Sequence, residues 1–440
     1  MAWMKRLNEL ISTQADTPFD AALAEARRAR CAGDAANALQ LIEAAEAKAG
    51  YAEQKTDAAF ERVRILIMLH HFDEAQPIVD NLLRGAALVR AKALAHVAQG
   101  ELAAARGDLN AARSAYETAV ELTRGSSSIG FRDVAALARG LLADAALRDG
   151  GGRYADHLLR EALAMLTSES DRGLRGWLTG LQGEAALEMG QTSQGMTLLD
   201  QAVALSGAAG CRVDSRRWGA RMGERALAEG RTQDAQRAFS QVLNLYSEEV
   251  VSPDYCDAVL GMSRATLGIR GDEQHREALR WSEIGLRTAE ALQDARRVAR
   301  AHGAVGEALK SLGRSAEALP HLQAALNGVV DVPLSARRAL GGAQFEAGDH
   351  AAALATYEDA VQRADHHGTS MDRADLRRDL GLARWQMRDY SGAIQAWTNA
   401  IPLYEEANAM AQAARLHIDI ANARRLLGHE PARSRMSNTR

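Results

Sequence analysis

The sequence predicts an all-α fold, a solenoid of about ten antiparallel helix pairs followed by a C-terminal capping helix. Three observations predict this class. A glycine-containing turn recurs along the 440 residues, small and large residues follow it at helical spacing, and only 5% of the residues are aromatic. A core of small aliphatic side chains suits closely packed helices, whereas a β-sandwich needs more valine, isoleucine, tyrosine and tryptophan.

The recurrent turn defines the repeat. It returns about every 40 residues, at Gly33, His70, Gly107, Gly150, Gly190, Gly230, Gly268, Gly313, Gly348, Arg388 and Gly428. A small residue, a large residue and an alanine follow at fixed offsets, as Ala112, Tyr116 and Ala119 do after Gly107. These offsets mark one buried face of a second helix.

A second set of glycines precedes the turns by seven residues. The set comprises Gly100, Gly183, Gly223, Gly261, Gly306, Gly341 and Gly381. Glycine within a helix costs about 1 kcal/mol relative to alanine. We therefore expect each of these glycines to admit the close approach of the neighbouring helix.

Helix starts and one irregular repeat complete the frame. Thr17-Pro18-Phe19-Asp20 has the cap, the first-turn proline and the acid of a helix start, and Ser252-Pro253 resembles it. Extra residues between Gly268 and Ala278 predict a longer, irregular turn in the unit spanning about 252–290.

These features resemble the tetratricopeptide repeat over about residues 17–428, most specifically at 100–122 and 340–361. The period exceeds the family's basic unit of about 34 residues, and is similar to the extended repeats of bacterial signal-transduction regulators. The resemblance implies a right-handed superhelix whose first helices line an inner groove. Residues 1–16 are expected to form a leader helix or arm, 17–428 a continuous solenoid, and 429–440 a disordered basic tail.

The resemblance also indicates which side chains face the groove. The positions six residues before each turn are Arg27, Arg64, Glu101, Asp144, Glu184, Glu224, Met262, Glu307, Gly342, Leu382 and Asn422. Arg338 and Arg378 recur ten residues before two turns, and Trp385 lies three residues before another. One interpretation is a partner-binding groove with an acidic middle and basic, aromatic ends. The other is a repeated solvated or helix-pairing position, with Trp385 in the core or the groove wall. Trp177 either faces the groove or packs on the preceding unit.

Composition and motifs exclude several classes of function. Lys and Arg number 53 against 57 Asp and Glu, a net charge of −4 that argues against a dedicated nucleic-acid binder. No stretch approaches the roughly 20 apolar residues of a membrane helix. The cysteines Cys31, Cys211 and Cys256 read as ordinary reduced thiols of a cytoplasmic protein. No catalytic motif occurs, and the histidine pairs 70–71 and 366–367 fall in predicted turns without metal-ligand spacing.

The sequence therefore favours a non-enzymatic scaffold or adaptor, without cofactor or metal, that binds a peptide segment or protein partner in its groove. Two alternatives stay open. The chain is a regulatory sensor that acts on a separate effector chain, or a structural subunit that self-assembles through the solenoid ends. Leu416, Ile418, Leu426 and Leu427 make the terminal helix less uniformly polar than a capping surface requires.

Overall fold

The computed structural model describes residues 17–125, 129–168, 170–246, 250–327 and 333–429. Across these ranges the secondary structure is helical, with no strand. The predicted all-α class is confirmed. None of the helices in these ranges combines the length and apolar character that crossing a bilayer demands.

Twenty-one helices follow one another through short connections. They are α1 (Pro18–Ala32), α2 (Ala35–Glu46), α3 (Ala52–Met68), α4 (Phe72–Gly85), α5 (Val89–Ala105), α6 (Leu109–Leu122), α7 (Ile129–Arg148), α8 (Gly152–Met165), α9 (Arg172–Glu188), α10 (Thr192–Ala208), α11 (Arg212–Ala228), α12 (Thr232–Leu243), α13 (Pro253–Leu267), α14 (Asp272–Ala291), α15 (Ala295–Ser311), α16 (Ser315–Leu326), α17 (Leu334–Glu346), α18 (His350–His367), α19 (Ser370–Gln386), α20 (Tyr390–Glu406) and α21 (Met410–His429). The expected ten helix pairs and terminal helix are therefore present in the described ranges.

The chain divides into two compact units, Met1–Met222 and Gly223–Arg440, called unit 1 and unit 2 below. The division falls within α11. Odd-numbered helices are the first helices of the pairs. The expected leader at 1–16 and the tail beyond His429 lie outside the described residues, as do positions 126–128.

Glycines at helix contacts organise unit 1 as the spacing predicts. A Cβ atom at Gly100 would overlap the ring of Tyr116, and one at Gly183 would lie 2.9 Å from Leu199 Cγ. Tyr116 and Leu199 are the large residues of the repeat and are both buried. Glycine therefore lets each second helix press its large side chain onto the backbone of its partner.

Unit 2 uses the same contact. A Cβ atom at Gly341 would lie 2.8 Å from the ring of Tyr357, and one at Gly381 would overlap the indole of Trp397. The first helix of this unit's last pair, α19, begins at a capping box made by Thr369 and Asp372. The packing rule read from the sequence thus holds in both units.

The turns keep their backbone conformation where glycine is replaced. His70 and Arg388 have φ angles of 59° and 63°, in the left-handed region that Gly107 occupies at 87°. In the irregular repeat the residue with a positive φ is Gly271, at 137°, whereas Gly268 has a φ of −69°. The inserted residues mainly lengthen the following helix, α14, to 20 residues.

Two expectations about local structure were wrong. Gly428 does not form an eleventh turn, because α21 continues to His429. His366 and His367 lie in the last turn of α18 and not in a loop. In both places the sequence pattern marked the end of a helix too early, a common uncertainty at helix termini.

Candidate functional site

First helices of consecutive pairs enclose a cavity in unit 1. Its volume is about 380 Å³, and its wall includes side chains from α1, α3, α5, α7, α9 and the start of α11. Four arginines, six carboxylates and the aromatic residues Phe60 and Trp177 line it. We call this space the unit 1 cavity. Arg27 and Arg64 of the predicted groove series lie in its wall.

A cluster of arginines surrounds one buried carboxylate in this wall. Glu61 is 1% exposed and forms ion pairs with Arg30 and, at 3.5 Å, with Arg27. Burial by itself would raise the pKa of Glu61, but the positive charges of Arg30, Arg64 and Arg27 outweigh burial and lower this pKa to about 2. Glu61 therefore stays ionised and fixes the arginines around it.

Two other carboxylates of the wall, Asp133 and Asp214, are less completely paired than Glu61. Asp133 Oδ1 is buried and has no hydrogen-bond partner among the described residues. Burial raises the pKa of Asp214, although the charge of Arg217 opposes this rise. Asp171, by contrast, caps α9 and accepts hydrogen bonds from the backbone N–H groups of Gly173 and Leu174. The wall thus contains a buried carboxylate oxygen, Asp133 Oδ1, that no hydrogen-bond donor of the described residues contacts.

The aromatic and sulfur groups of the cavity come from distant parts of the sequence. Trp177 lines the cavity and also packs into the core, where its ring would overlap a Cβ atom at Gly140 of α7. Cys31 and Cys211 both line the cavity, and each side chain shifts the pKa of the other. The sequence treated these cysteines as separate ordinary thiols, because their wide spacing gives no sign of contact.

The acidic series of unit 1 is paired by arginines. Glu101 Oε1 lies 3.1 Å from Arg64 Nε, and Asp144 Oδ1 lies 2.9 Å from Arg217 Nη2. Glu184 lies 3.5 Å from Arg217 and 3.2 Å from a second arginine, Arg221. Burial opposes ionisation of Asp144, but Arg217 lowers its pKa overall. Glu101 is thus paired by Arg64 of the same register series, whereas Asp144 and Glu184 are paired by Arg217 and Arg221, whose positions the repeat register did not predict.

Unit 2 contains a cavity of about 480 Å³ on its own first helices. Five predicted positions line it, namely Glu307, Arg338, Gly342, Arg378 and Leu382. We call it the unit 2 cavity.

Two arginines of the unit 2 cavity pair with two aspartates. Arg338 Nε lies 2.6 Å from Asp379 and its Nη1 lies 2.7 Å from Asp375. Arg378 contacts the same two carboxylates at 2.8 and 3.2 Å. The buried hydroxyl of Tyr404 also donates a hydrogen bond to Asp375 Oδ1 at 2.6 Å. These five residues form a closed network.

The other predicted positions are placed as follows. Glu307 Oε1 accepts a hydrogen bond of 2.8 Å from Ser335 Oγ, and burial raises the pKa of Glu307. Trp385 is half-buried and packs in the core near the chain's C-terminal helices rather than lining the cavity. Met262 is buried, and Asn422 is exposed on α21. Glu224 belongs to the unit 2 part of α11. The structure brings Arg27 and Arg64 to one cavity, and Glu307, Arg338 and Arg378 to another.

Comparison with known proteins finds distant structural similarity and no match in sequence. No family model matches the sequence, and no curated protein matches it. Among solved structures, the apo form of the quorum sensor NprR from B. thuringiensis is 15% identical, covering 87% of this chain and 97% of that chain with a TM-score of 0.49. Human IFIT1, as a dimer with m7Gppp-AAAA, is 14% identical, with coverages of 96% and 93% and a TM-score of 0.48. A tetratricopeptide repeat protein from Parabacteroides merdae is 12% identical, with coverages of 66% and 97% and a TM-score of 0.43. At these values the likenesses identify no function for this chain.

Proposed function

We propose that this protein is a non-catalytic binding scaffold that holds a short peptide segment in the unit 1 cavity. The observation that carries the proposal is the convergence of six helices on one cavity. Arginines, carboxylates and two aromatic side chains line this cavity, and one buried carboxylate oxygen, Asp133 Oδ1, has no hydrogen-bond partner among the described residues. The cavity volume of about 380 Å³ falls within the range typical of pockets for small ligands.

The wall chemistry favours a segment that carries both a cation and a carboxylate. The side chain of Arg27 is 42% exposed and contacts Glu61 at 3.5 Å, which leaves N–H groups of its guanidinium directed at the solvent. A carboxylate of the ligand would pair with this guanidinium. Asp133 and Asp214 would accept hydrogen bonds from an ammonium or guanidinium group. Trp177 and Phe60 would contact the aliphatic parts between the two charges.

The proposal is tested with a synthetic library of hexapeptides that have free termini. The purified full chain is incubated with the library, and the retained peptides are identified by mass spectrometry. We expect enrichment of peptides with a basic residue near one end. Arg27→Ala and Asp214→Asn should each reduce retention of these peptides at least about tenfold, which corresponds to about 1.4 kcal/mol.

Arg124→Ala is the matched control for Arg27→Ala, because Arg124 belongs to unit 1 but its side chain is 72% exposed and lies outside the cavity wall. This variant should retain the same peptides as the unmodified chain. Circular dichroism checks that each variant is folded. Equal retention by the unmodified chain and by both cavity variants would refute the proposal.

The predicted acidic groove is a separate surface and is tested separately. Glu184→Lys and Glu224→Lys reverse charges of that series. Because Glu184 is paired with Arg217 and Arg221, we expect its reversal to disturb this pairing and leave the set of retained peptides unchanged. A loss of retention in folded Glu184→Lys protein would extend the binding surface to the acidic series.

Self-association is the second candidate, and one observation favours it. On α21, Met410 and Ile418 are 57% and 64% exposed, which is unusual for a surface that ends a repeat array. Light scattering coupled to size-exclusion chromatography distinguishes a monomeric scaffold from an assembling subunit. We place either activity in the cytoplasm, and a regulatory sensor that acts on a separate effector chain is the remaining alternative.

A further inference from the structure

We propose that Cys31 and Cys211 form a reversible disulfide by thiol–disulfide exchange with a small disulfide such as oxidised glutathione. The bond would join the end of α1 to the residue that precedes α11, across the wall of the unit 1 cavity. This proposal concerns a modification site and holds whether or not the cavity binds a peptide.

The end of α1 and the start of α11 approach each other beside the unit 1 cavity. A Cβ atom at Gly33 would lie 2.9 Å from Arg216 Nη2 and 3.4 Å from Val213 Cγ2. Cys31 and Cys211, two residues before Gly33 and Val213 respectively, both line this cavity, and each side chain shifts the pKa of the other. The approach therefore involves more than the two cysteines.

The packing also holds Cys211 in place. Cys211 is 3% exposed, and a Cβ atom at Gly173 of α9 would lie only 2.7 Å from its sulfur. Cys31 is partly exposed. A soluble disulfide can therefore reach Cys31 from the cavity, whereas Cys211 is reached through Cys31.

Exposure assigns the roles of the two thiols, because Cys31 is partly exposed whereas Cys211 is 3% exposed. The interaction with Cys211 lowers the pKa of Cys31, and the positive charges of Arg30 and Arg64 act in the same direction against burial. Cys31 is therefore the attacking thiolate, and Cys211 is the resolving thiol.

The exchange takes place in two steps. The Cys31 thiolate attacks one sulfur of oxidised glutathione, forms a mixed disulfide and releases one glutathione thiolate. Cys211 then loses its proton to solvent, and its thiolate attacks the Cys31 sulfur and releases the second glutathione. Two protein thiols and one glutathione disulfide become one protein disulfide and two glutathione thiols. In a reducing compartment the protein disulfide would be transient.

The third cysteine supplies an internal control. Cys256 lies in unit 2, is fully buried, and burial raises its pKa to about 11. It donates a hydrogen bond to the backbone oxygen of Gly285. We expect Cys256 to remain a thiol under conditions that oxidise the pair.

The experiment treats the reduced full chain with oxidised glutathione at pH 8. Accessible and buried thiols are then counted after unfolding, and non-reduced peptides are mapped by mass spectrometry. We expect the thiol count to fall from three to one, with Cys31 and Cys211 in one cross-linked pair of peptides. Cys256→Ala should give the same cross-link.

Cys211→Ser tests the order of the steps, because it removes the resolving thiol and should trap glutathione on Cys31. Oxidised unmodified protein should also resist urea better than reduced protein, and this gain should vanish in Cys211→Ser. Glutathione retained on Cys31 in the unmodified chain, a cross-link between two chains, or an unchanged thiol count would each overturn the proposal.

Discussion

The two cavities occupy equivalent surfaces of the repeat but differ in how completely their arginines and carboxylates are paired. In unit 2, Arg338 is held by two carboxylates at 2.6 and 2.7 Å, so the arginine and its partners satisfy one another. In unit 1, Arg27 is 42% exposed and Asp133 Oδ1 is buried without a partner in the described part of the chain. The same surface of the repeat thus carries a closed network in unit 2 and incompletely paired charges in unit 1.

The difference teaches how to separate binding positions from structural ones in a repeat protein. Sign of charge does not distinguish Arg27 from Arg338, since both are arginines on first helices, six and ten residues before a turn respectively. The number of carboxylates that meet each guanidinium does distinguish them. A closed network such as that of Arg338 is expected to contribute to stability and specificity of folding, whereas incomplete pairing leaves capacity for a partner.

Removal of Glu61 should give the largest effect. Glu61→Ala leaves Arg27 and Arg30 without their shared carboxylate, and the loss of one partner of a buried pair costs about 3–5 kcal/mol. Hydrogen exchange along a urea titration should show this destabilisation in the α1 and α3 peptides of unit 1. Glu121→Ala, which removes an exposed partner of Arg124, is the control and should cost less than about 1 kcal/mol. Similar costs for both variants would contradict the assigned role of Glu61.

Gly180→Ala tests whether the two units share their packing despite their different charges. The new methyl group would overlap the indole of Trp218, which is fully buried, so we expect a loss of about 1–3 kcal/mol in unit 1. Gly381→Ala meets Trp397 in unit 2 and should cost a similar amount. Gly85→Ala is the control, because open space surrounds that position and the change should be neutral or slightly stabilising. Urea unfolding followed by hydrogen exchange measures all three.

The sequence predicted the contacts that form within one helix pair and missed the contacts between helix pairs that are distant in the sequence. The contacts at Gly100, Gly183 and Gly381 follow from spacing within one helix pair, and the structure confirms them. The meeting of Cys31 with Cys211 depends on how five intervening turns orient successive pairs, which a period of about 40 residues does not encode.

The candidate sites show the same limit. The repeat register predicts Arg27, Arg64, Glu307, Arg338 and Arg378, because equivalent positions on successive first helices face the same side. These residues do line the two cavities. The register does not predict Asp133, Asp214 or Arg217. These side chains reach the same surface from other register positions, so their roles depend on distances between neighbouring pairs.

Tyr404→Phe probes the closed network of unit 2. It removes the hydroxyl that donates to Asp375 and leaves that carboxylate with Arg338 and Arg378. Because the two arginines remain, we expect a loss of about 1–2 kcal/mol, at the low end for a hydrogen bond to a charged group. Hydrogen exchange of α19 and α20 should report the change. Tyr154→Phe alters an exposed tyrosine of unit 1 and should have no measurable effect, and a comparable loss there would remove the contrast.

Glu307→Gln should give the smallest effect, with the opposite sign. Burial raises the pKa of Glu307, so the folded state binds this proton more tightly and stability falls as pH rises through the unfolded and then the folded pKa. Glutamine keeps an acceptor for the Ser335 hydroxyl and removes the ionisation. We therefore expect a small gain in stability at pH 7.5 and little change at pH 4.

Glu61 in unit 1 has the opposite pH dependence. Its lowered pKa stabilises the fold at pH values above the ordinary glutamate pKa, and this stabilisation is lost as the pH falls toward about 2. Urea unfolding at pH 4 and pH 7.5 measures the Glu307→Gln effect, with the exposed Glu405→Gln as control. A loss of stability at pH 7.5 would mean that the ionised Glu307 makes a favourable contact. The unit 2 cavity would then resemble the arginine cluster around Glu61, and the contrast in charge between the two cavities would fail at this position.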